Sequence, residues 1–193
     1  LYSPAQRRES FAQVRFDFLV FVARNIAAAF ATLHEHGHVL GDVNQGNVLV
    51  GADSRVILID CDSFQIQVGD ALHRCEVGVA HFTPPELQRV ASFEDITRTP
   101  NHDAFGLALL IFHLLMGGRH PYSGVPLADH IGESLEADIR DFRYAYAKDA
   151  AQRLIAPPPK SVPIDSLPPA IVALFEQAFT EPGVDARPTP QQW

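Results

Sequence analysis

The longest apolar run in the chain is Phe105 to Met116, twelve positions interrupted only by His113. A helix that is apolar on every side has to be wrapped by other elements. Twelve residues fall short of a bilayer core of about 30 Å, so the run reads as a buried core helix and not as a membrane span. Asn101 and Asp103 open it, and Gly117-Gly118 closes it. The chain has the means to wrap it. With 193 residues, 47% hydrophobic and 20% charged, a domain of this size buries roughly 70% of the surface its unfolded chain would expose. One domain over residues 1–193 is expected.

The formal charge is −8 and no long run of like charge occurs. Intrinsic disorder, a polybasic nucleic-acid surface and a membrane patch are therefore not expected. Cys61 and Cys75 lie in a chain without a signal-peptide pattern, which fits a reducing cytoplasm better than a disulfide framework. The chain starts at Leu1 and its single methionine is Met116, so it is expected to be a segment of a longer protein.

Phe18, Val22, Ile26, Ala29, Phe30 and Leu33 recur at helical spacing within Phe11 to His36, and Gly37 ends the pattern. Two short apolar runs follow, Val48 to Val50 and Val56 to Ile59, separated by Gly51-Ala52-Asp53-Ser54. They read as a β-hairpin. Cys61 to Thr83 reads as a long loop with a short edge strand at Phe64 to Val68, and about two turns of helix are expected after Pro84-Pro85. Leu127 to Ala147 reads as one or two amphipathic helices, Ala156 to Pro159 as a rigid spacer, and Pro168 to Thr180 as a helix. A further helix is expected near Trp193. The fold class is thus mainly α, helical with one small β-hairpin.

Polar residues gather at the ends of that hairpin. Asp42 and Asn47 precede it, and Asp60 and Asp62 follow it, so closing the hairpin brings Asn47 near Asp60. Oxygen ligands converging there suit a hard cation such as Mg²⁺, which takes few protein oxygens and completes its shell with water and phosphate. Asp42 is left over to orient or deprotonate a hydroxyl. The same residue types also serve as turn formers and caps, and residues alone leave both readings open.

The string HGHVLGDVNQGNVLV resembles the protein-kinase catalytic loop, and VILIDCDSF resembles the strand and metal site that follow it. In order along the chain, GVAHFTPPE looks like the end of an activation segment, HDAFGLALLIFHLLMGGRHPY like the central helix of the C-terminal lobe, and DARPT like that lobe's late Arg-Pro motif. The wording GDVNQGN with IDCDSFQ is similar to an atypical bacterial kinase-like group associated with helix-hairpin-helix DNA-binding segments and tellurite-resistance-type gene clusters. The resemblance implies a kinase C-terminal lobe, part of an α+β two-lobe fold, with ATP and Mg²⁺ or Mn²⁺ as cofactors. It makes Asp42 the catalytic base, Asn47 and Asp60 the metal ligands, and Leu49 the residue under the adenine. Glu86 would pair with Arg187, and Asp103 would bond the catalytic-loop backbone.

Several positions depart from the family. Leu40-Gly41 stands where His-Arg is usual, so a phosphorylated activation loop would lack its customary cation and activity is expected not to depend on it. Cys61 and Asp62 replace the Phe and Gly of the metal motif. A Leu40 to Cys61 contact is expected to fill the vacated space, and Asp62, on the same side as Asp60 in an extended segment, is a candidate extra ligand. A solvated or capping Asp62 is the alternative. Asn44 and Val79 replace a Lys and a Thr, which weakens transition-state charge stabilisation although Asn44 still donates a hydrogen bond.

No GxGxxG occurs, and the two lysines, Lys148 and Lys160, lie far downstream. An N-terminal kinase lobe outside these residues is therefore required. The expected function is ATP- and Mg²⁺-dependent phosphoryl transfer to protein Ser/Thr by the longer protein, on a substrate the sequence does not name. The alternative is a pseudokinase that binds nucleotide or acts as a scaffold. His34, His36 and His38 at a helix end read as solvated residues near its dipole and not as metal ligands.

Overall fold

The computed structural model describes residues 5, 7, 9 and 15–193. Helix α1 spans Phe16–Glu35; positions 11–14 of the expected first helix lie outside the described residues. The expected stop holds. His36 caps the helix, Gly37 takes φ +77°, and its amide and that of His38 return to the His34 and Leu33 carbonyls. Helix α2, Pro100–Leu115, begins with a capping box between Thr99 and His102, and every residue from Asp103 to Leu114 is buried. This is the all-round burial that its apolar run requires.

The inner face of α1 (Leu19, Val22, Ala23, Ile26, Ala27 and Phe30) packs on α2. Among the described residues α1 is the helix long and apolar enough to cross a membrane by length and composition, and this packing accounts for its apolar face in another way. On the other side of α2 lies α4, Pro169–Phe179. Phe112 there meets Phe175 and Phe179 edge-on, with ring centroids 5.0 and 5.8 Å apart. The Tyr122 hydroxyl donates to the Phe179 carbonyl at 2.7 Å, which satisfies a buried polar atom inside this aromatic cluster.

The expected hairpin forms from β1, Val48–Val50, and β2, Val56–Leu58, with Leu49 opposite Ile57. The Asn25 amide on α1 donates to the Ser54 carbonyl at 2.9 Å, tying the hairpin turn to the first helix. A second hairpin pairs β3, Ile66–Val68, with β4, Ala71–His73, across Gly69 at φ +56°. Strands β5, Val125–Pro126, and β6, Ile155–Ala156, form a third pair.

Several expectations are corrected here. The segment after Pro84 holds one 3-10 turn, Pro85–Leu87, and not two turns of helix. Within Leu127 to Ala147 the helix is α3, Leu135–Arg140 alone. The buried Tyr144 and Tyr146 that follow sit on turns held by Asp138, Asp141 and Arg143. The spacer at Ala156 begins inside β6. Near Trp193 the chain turns without forming a helix, and the indole packs 4.9 Å from Phe175. The architecture is helical with small antiparallel sheets, consistent with a segment like a mainly-α kinase C-lobe.

Candidate active site

The site rests on α2. Asp103, 1% exposed in the first turn of α2, accepts the Leu40 and Gly41 amides at 2.7 and 2.8 Å. His34 Nε2 lies 2.9 Å from the same carboxylate, so α1 also reaches this point. One turn further along, a Cβ at Gly106 would stand 2.5 Å from the Val43 side chain, so the helix meets the loop with no room for a methyl group. The loop is held on both sides of Asp42.

Asp42 faces two amides. Asn47 Nδ2 donates to its carbonyl at 3.0 Å and to Oδ2 at 3.4 Å, and Asn44 Nδ2 donates to Oδ2 at 3.2 Å. The Asn44 side-chain oxygen accepts the Gly46 amide at 2.8 Å, capping the 3-10 turn Gln45–Asn47 that leads into β1. The other carboxylate oxygen, Oδ1, is buried without a hydrogen-bond partner. A buried carboxylate oxygen without a partner is unmet acceptor capacity, which calls for an explanation at this site.

The hairpin continues beyond β2 through Ile59, whose amide donates to the Asn47 carbonyl at 3.0 Å. That bond sets Asp60 beside Asn47. Asp60 adopts the left-handed conformation, φ 63° and ψ 39°, at the head of the 3-10 turn Cys61–Ser63. The segment is therefore not extended, and the alternation argument for Asp62 does not apply. The two carboxyls nevertheless meet by way of the turn. Loss of solvation, then the Asp62 charge and hydrogen bond, then the Asp42 charge hold the Asp60 carboxyl above its ordinary range.

Cys61 is exposed, its Sγ 3.8 Å from the Leu58 carbonyl, while Leu40 is 1% exposed in the core. The space expected to be filled from both sides is thus occupied by a buried Leu40, with Cys61 at the surface. Leu49 lies 51% exposed on the outer face of the hairpin, where its partner across the strands, Ile57, is 62% exposed. Val79 is 42% exposed. Glu86 and Arg187, 101 residues apart, pair through both oxygens at 2.7 and 2.8 Å.

Sequence reading missed three contributors. Arg74 shares an open cavity of about 380 Å³ with Asp60, Asp62 and Glu76, and it is the single cation lining it among the described residues. Gln65 pairs with Val39 through both backbone groups, while its side chain accepts the Arg98 amide at 2.7 Å and donates to the Arg98 carbonyl at 2.8 Å. Arg98, 3% exposed, donates to the Val77 carbonyl at 3.0 Å and lies 3.9 Å over the Phe93 ring. Gln65 closes the IDCDSFQ wording but its partners lie elsewhere in the chain, and Arg74 and Arg98 stand in no motif, so spacing carried no signal for these contacts.

The chain is 62% identical over 194 residues to protein kinase YegI of Escherichia coli O157:H7, covering all of this chain and 30% of that protein. The chain is kinase-like. It is 61% identical to protein kinase YegI of Escherichia coli strain K12 over the same span. A stretch of 92 residues, 48% of the chain, is 32% identical to 11% of the serine/threonine-protein kinase kin-29 of Caenorhabditis briggsae. The chain spans about 30% of the length of the two Escherichia coli relatives. No family model matches it. Among the described residues no three His, Cys, Asp or Glu side chains converge on one metal position. The donor set present in this kinase-like chain is an amide, Asn47, beside a carboxylate, Asp60, which suits a cation that keeps most of its own water.

Proposed function

We propose that the chain is the C-terminal lobe of an atypical bacterial protein kinase, and that the longer protein transfers phosphate from ATP to protein Ser or Thr with Mg²⁺ or Mn²⁺. The observation that carries this reading is the buried, unpartnered Oδ1 of Asp42, in a carboxylate whose other oxygen is oriented by Asn44 and Asn47. Asp42 orients the acceptor hydroxyl and receives its proton at that oxygen. Asn47 and Asp60 hold the cation, with Asp62 beside them, and the raised proton affinity of Asp60 marks a place where a cation relieves like charge. Bound Mg²⁺ nucleotide supplies the phosphoryl group and neutralises the charge that develops during transfer. Leu49 lies beneath the adenine, with Ile57 beside it, and an N-terminal lobe outside these residues closes over both. Free Cys61 and Cys75 suit a reducing cytoplasm.

The test is γ-phosphate transfer by the full-length protein beside Asp42→Ala and Asp60→Ala. Wild type is expected to transfer phosphate with Mg²⁺ or Mn²⁺, Asp42→Ala to lose about 10²-fold or more, and Asp60→Ala to lose its response to the metal. A second reading, a pseudokinase or scaffold, is favoured by one feature: Asn44 and Val79 bring no cation to Asp42, so transition-state charge on this side is poorly met. Binding of Mg²⁺-ATP without autophosphorylation or transfer to any partner would establish that second reading.

A further inference from the structure

A separate open cavity of about 350 Å³ begins at Gln45, three residues after Asp42, and is walled by His81, Phe82, His113, Arg119 and His120. Its charge is the reverse of the cavity at Asp60. Among the described residues no carboxylate lines it, in a chain whose net charge is −8. Arg119 is exposed and enters no ion pair among the described residues. Glu136, next in sequence to the lining residue Leu135, is engaged with His81, its Oε1 2.9 Å from Nε2.

The imidazoles are a polar wall rather than a charged one. Burial keeps His113 and His120 neutral, with pKa values near 3 and 4, and His120 Nε2 donates to the His81 carbonyl at 2.9 Å. Among the described residues that line the cavity the fixed positive charge is therefore Arg119, and Arg7 stands beside the wall at the His113 carbonyl, 2.8 Å away. A basic side chain entering here would find, among the described lining residues, no carboxylate, and beside the wall only Glu136, already held by His81. An acidic one would find a guanidinium that has no other ion pair to give up.

The position identifies where such a side chain comes from. Three residues of chain span at most about 11 Å, so a group seated beside Gln45 belongs to a residue close in sequence to a hydroxyl seated at Asp42. We propose that this cavity takes an Asp or Glu side chain of the acceptor polypeptide, within about three positions of the phosphorylated hydroxyl, with Arg119 as its counter-charge. The inference rests on the phosphoryl-transfer reading and adds an acceptor class to it.

The experiment uses full-length protein and peptides that share one Ser or Thr acceptor, with Asp, Glu, Ala or Lys placed in turn at the three positions on either side. KM and kcat are measured with Mg²⁺-ATP, and binding of the same peptides, fluorescently labelled, is followed by anisotropy. At one position Asp or Glu is expected to lower KM and the binding constant about fivefold relative to Ala, as an exposed charge pair supplies, and Lys to raise both. Arg119→Glu is expected to invert that ranking and Arg119→Lys to retain it, whereas a merely structural lesion would weaken all peptides alike. Equal binding and transfer of Asp and Lys peptides at every position, or a ranking unmoved by Arg119→Glu, would overturn the proposal. Selective binding of acidic peptides without any transfer would uphold the cavity assignment and overturn the kinase reading instead.

Discussion

Gly41 is where a departure from the kinase pattern acquires a physical cause. It sits at φ +75°, and a Cβ added there would stand 2.5 Å from Cys75 Cβ and 2.6 Å from its Sγ. The loss of an Arg before Asp42 was legible in the sequence. Its partner was not, because Cys75 lies 34 positions away and no local pattern links the two. Gly41→Ala is expected to destabilise the catalytic loop by about 1–3 kcal/mol, through left-handed strain and overpacking. Cys75→Gly in the same chain should recover the overpacking part. Hydrogen exchange of the amides at 40–47 in the full-length protein reads the effect, and the double-mutant cycle gives the coupling. Protection equal to wild type in Gly41→Ala would mean that Cys75 moves aside at no cost.

At the scale of elements, the core helices were legible because their apolar periods decide burial, as were the first hairpin and the edge strand β3, and the other short strands were not. Strand β4 exposes every residue, and β5 and β6 hold two residues each, so none of the three shows an alternation for a reader to find. Leu127 to Ala147 misled for the opposite reason, since Tyr144 and Tyr146 are buried on turns beyond the end of α3. The link between Glu86 and Arg187 ties the segment after Pro84 to the last turns of the chain, and the Arg187 side chain is wholly buried. Glu86→Ala leaves that guanidinium without its carboxylate and is expected to cost about 3–5 kcal/mol. Limited proteolysis of the full-length protein would then open the stretch at 79–90, whereas Glu86→Asp should remain largely protected.

At the scale of the molecule, His113 and His120 make stability depend on pH. Burial holds both imidazoles neutral, at about 3 and about 4, below the ordinary 6.5. His113 stands against His120, with Arg7 nearby, and His120 against His81. The unfolded chain takes up protons below pH 6.5 while the folded chain does not, so stability is full above that pH and falls as pH drops toward 4. The slope is about 1.4 kcal/mol per pH unit for each imidazole. Urea unfolding of the full-length protein at pH 7 and pH 5 would show it, and His120→Gln, whose amide can still donate to the His81 carbonyl, should remove about half. An unchanged midpoint between those pH values would contradict the neutral burial of these groups. The 193 residues alone, which lack a phosphate-covering glycine loop, are expected to show negligible phosphoryl transfer in a radiolabel assay. Elsewhere on the surface, pairs such as Arg153 with Glu181 loosen as salt rises. The link from Val39 through Gln65 to Arg98 is different, since the contacts along it are between neutral amides and largely out of water. Ionic strength therefore has little hold on the spacing between the loop that carries Asp42 and the strand of chain that Arg98 grips at Val77.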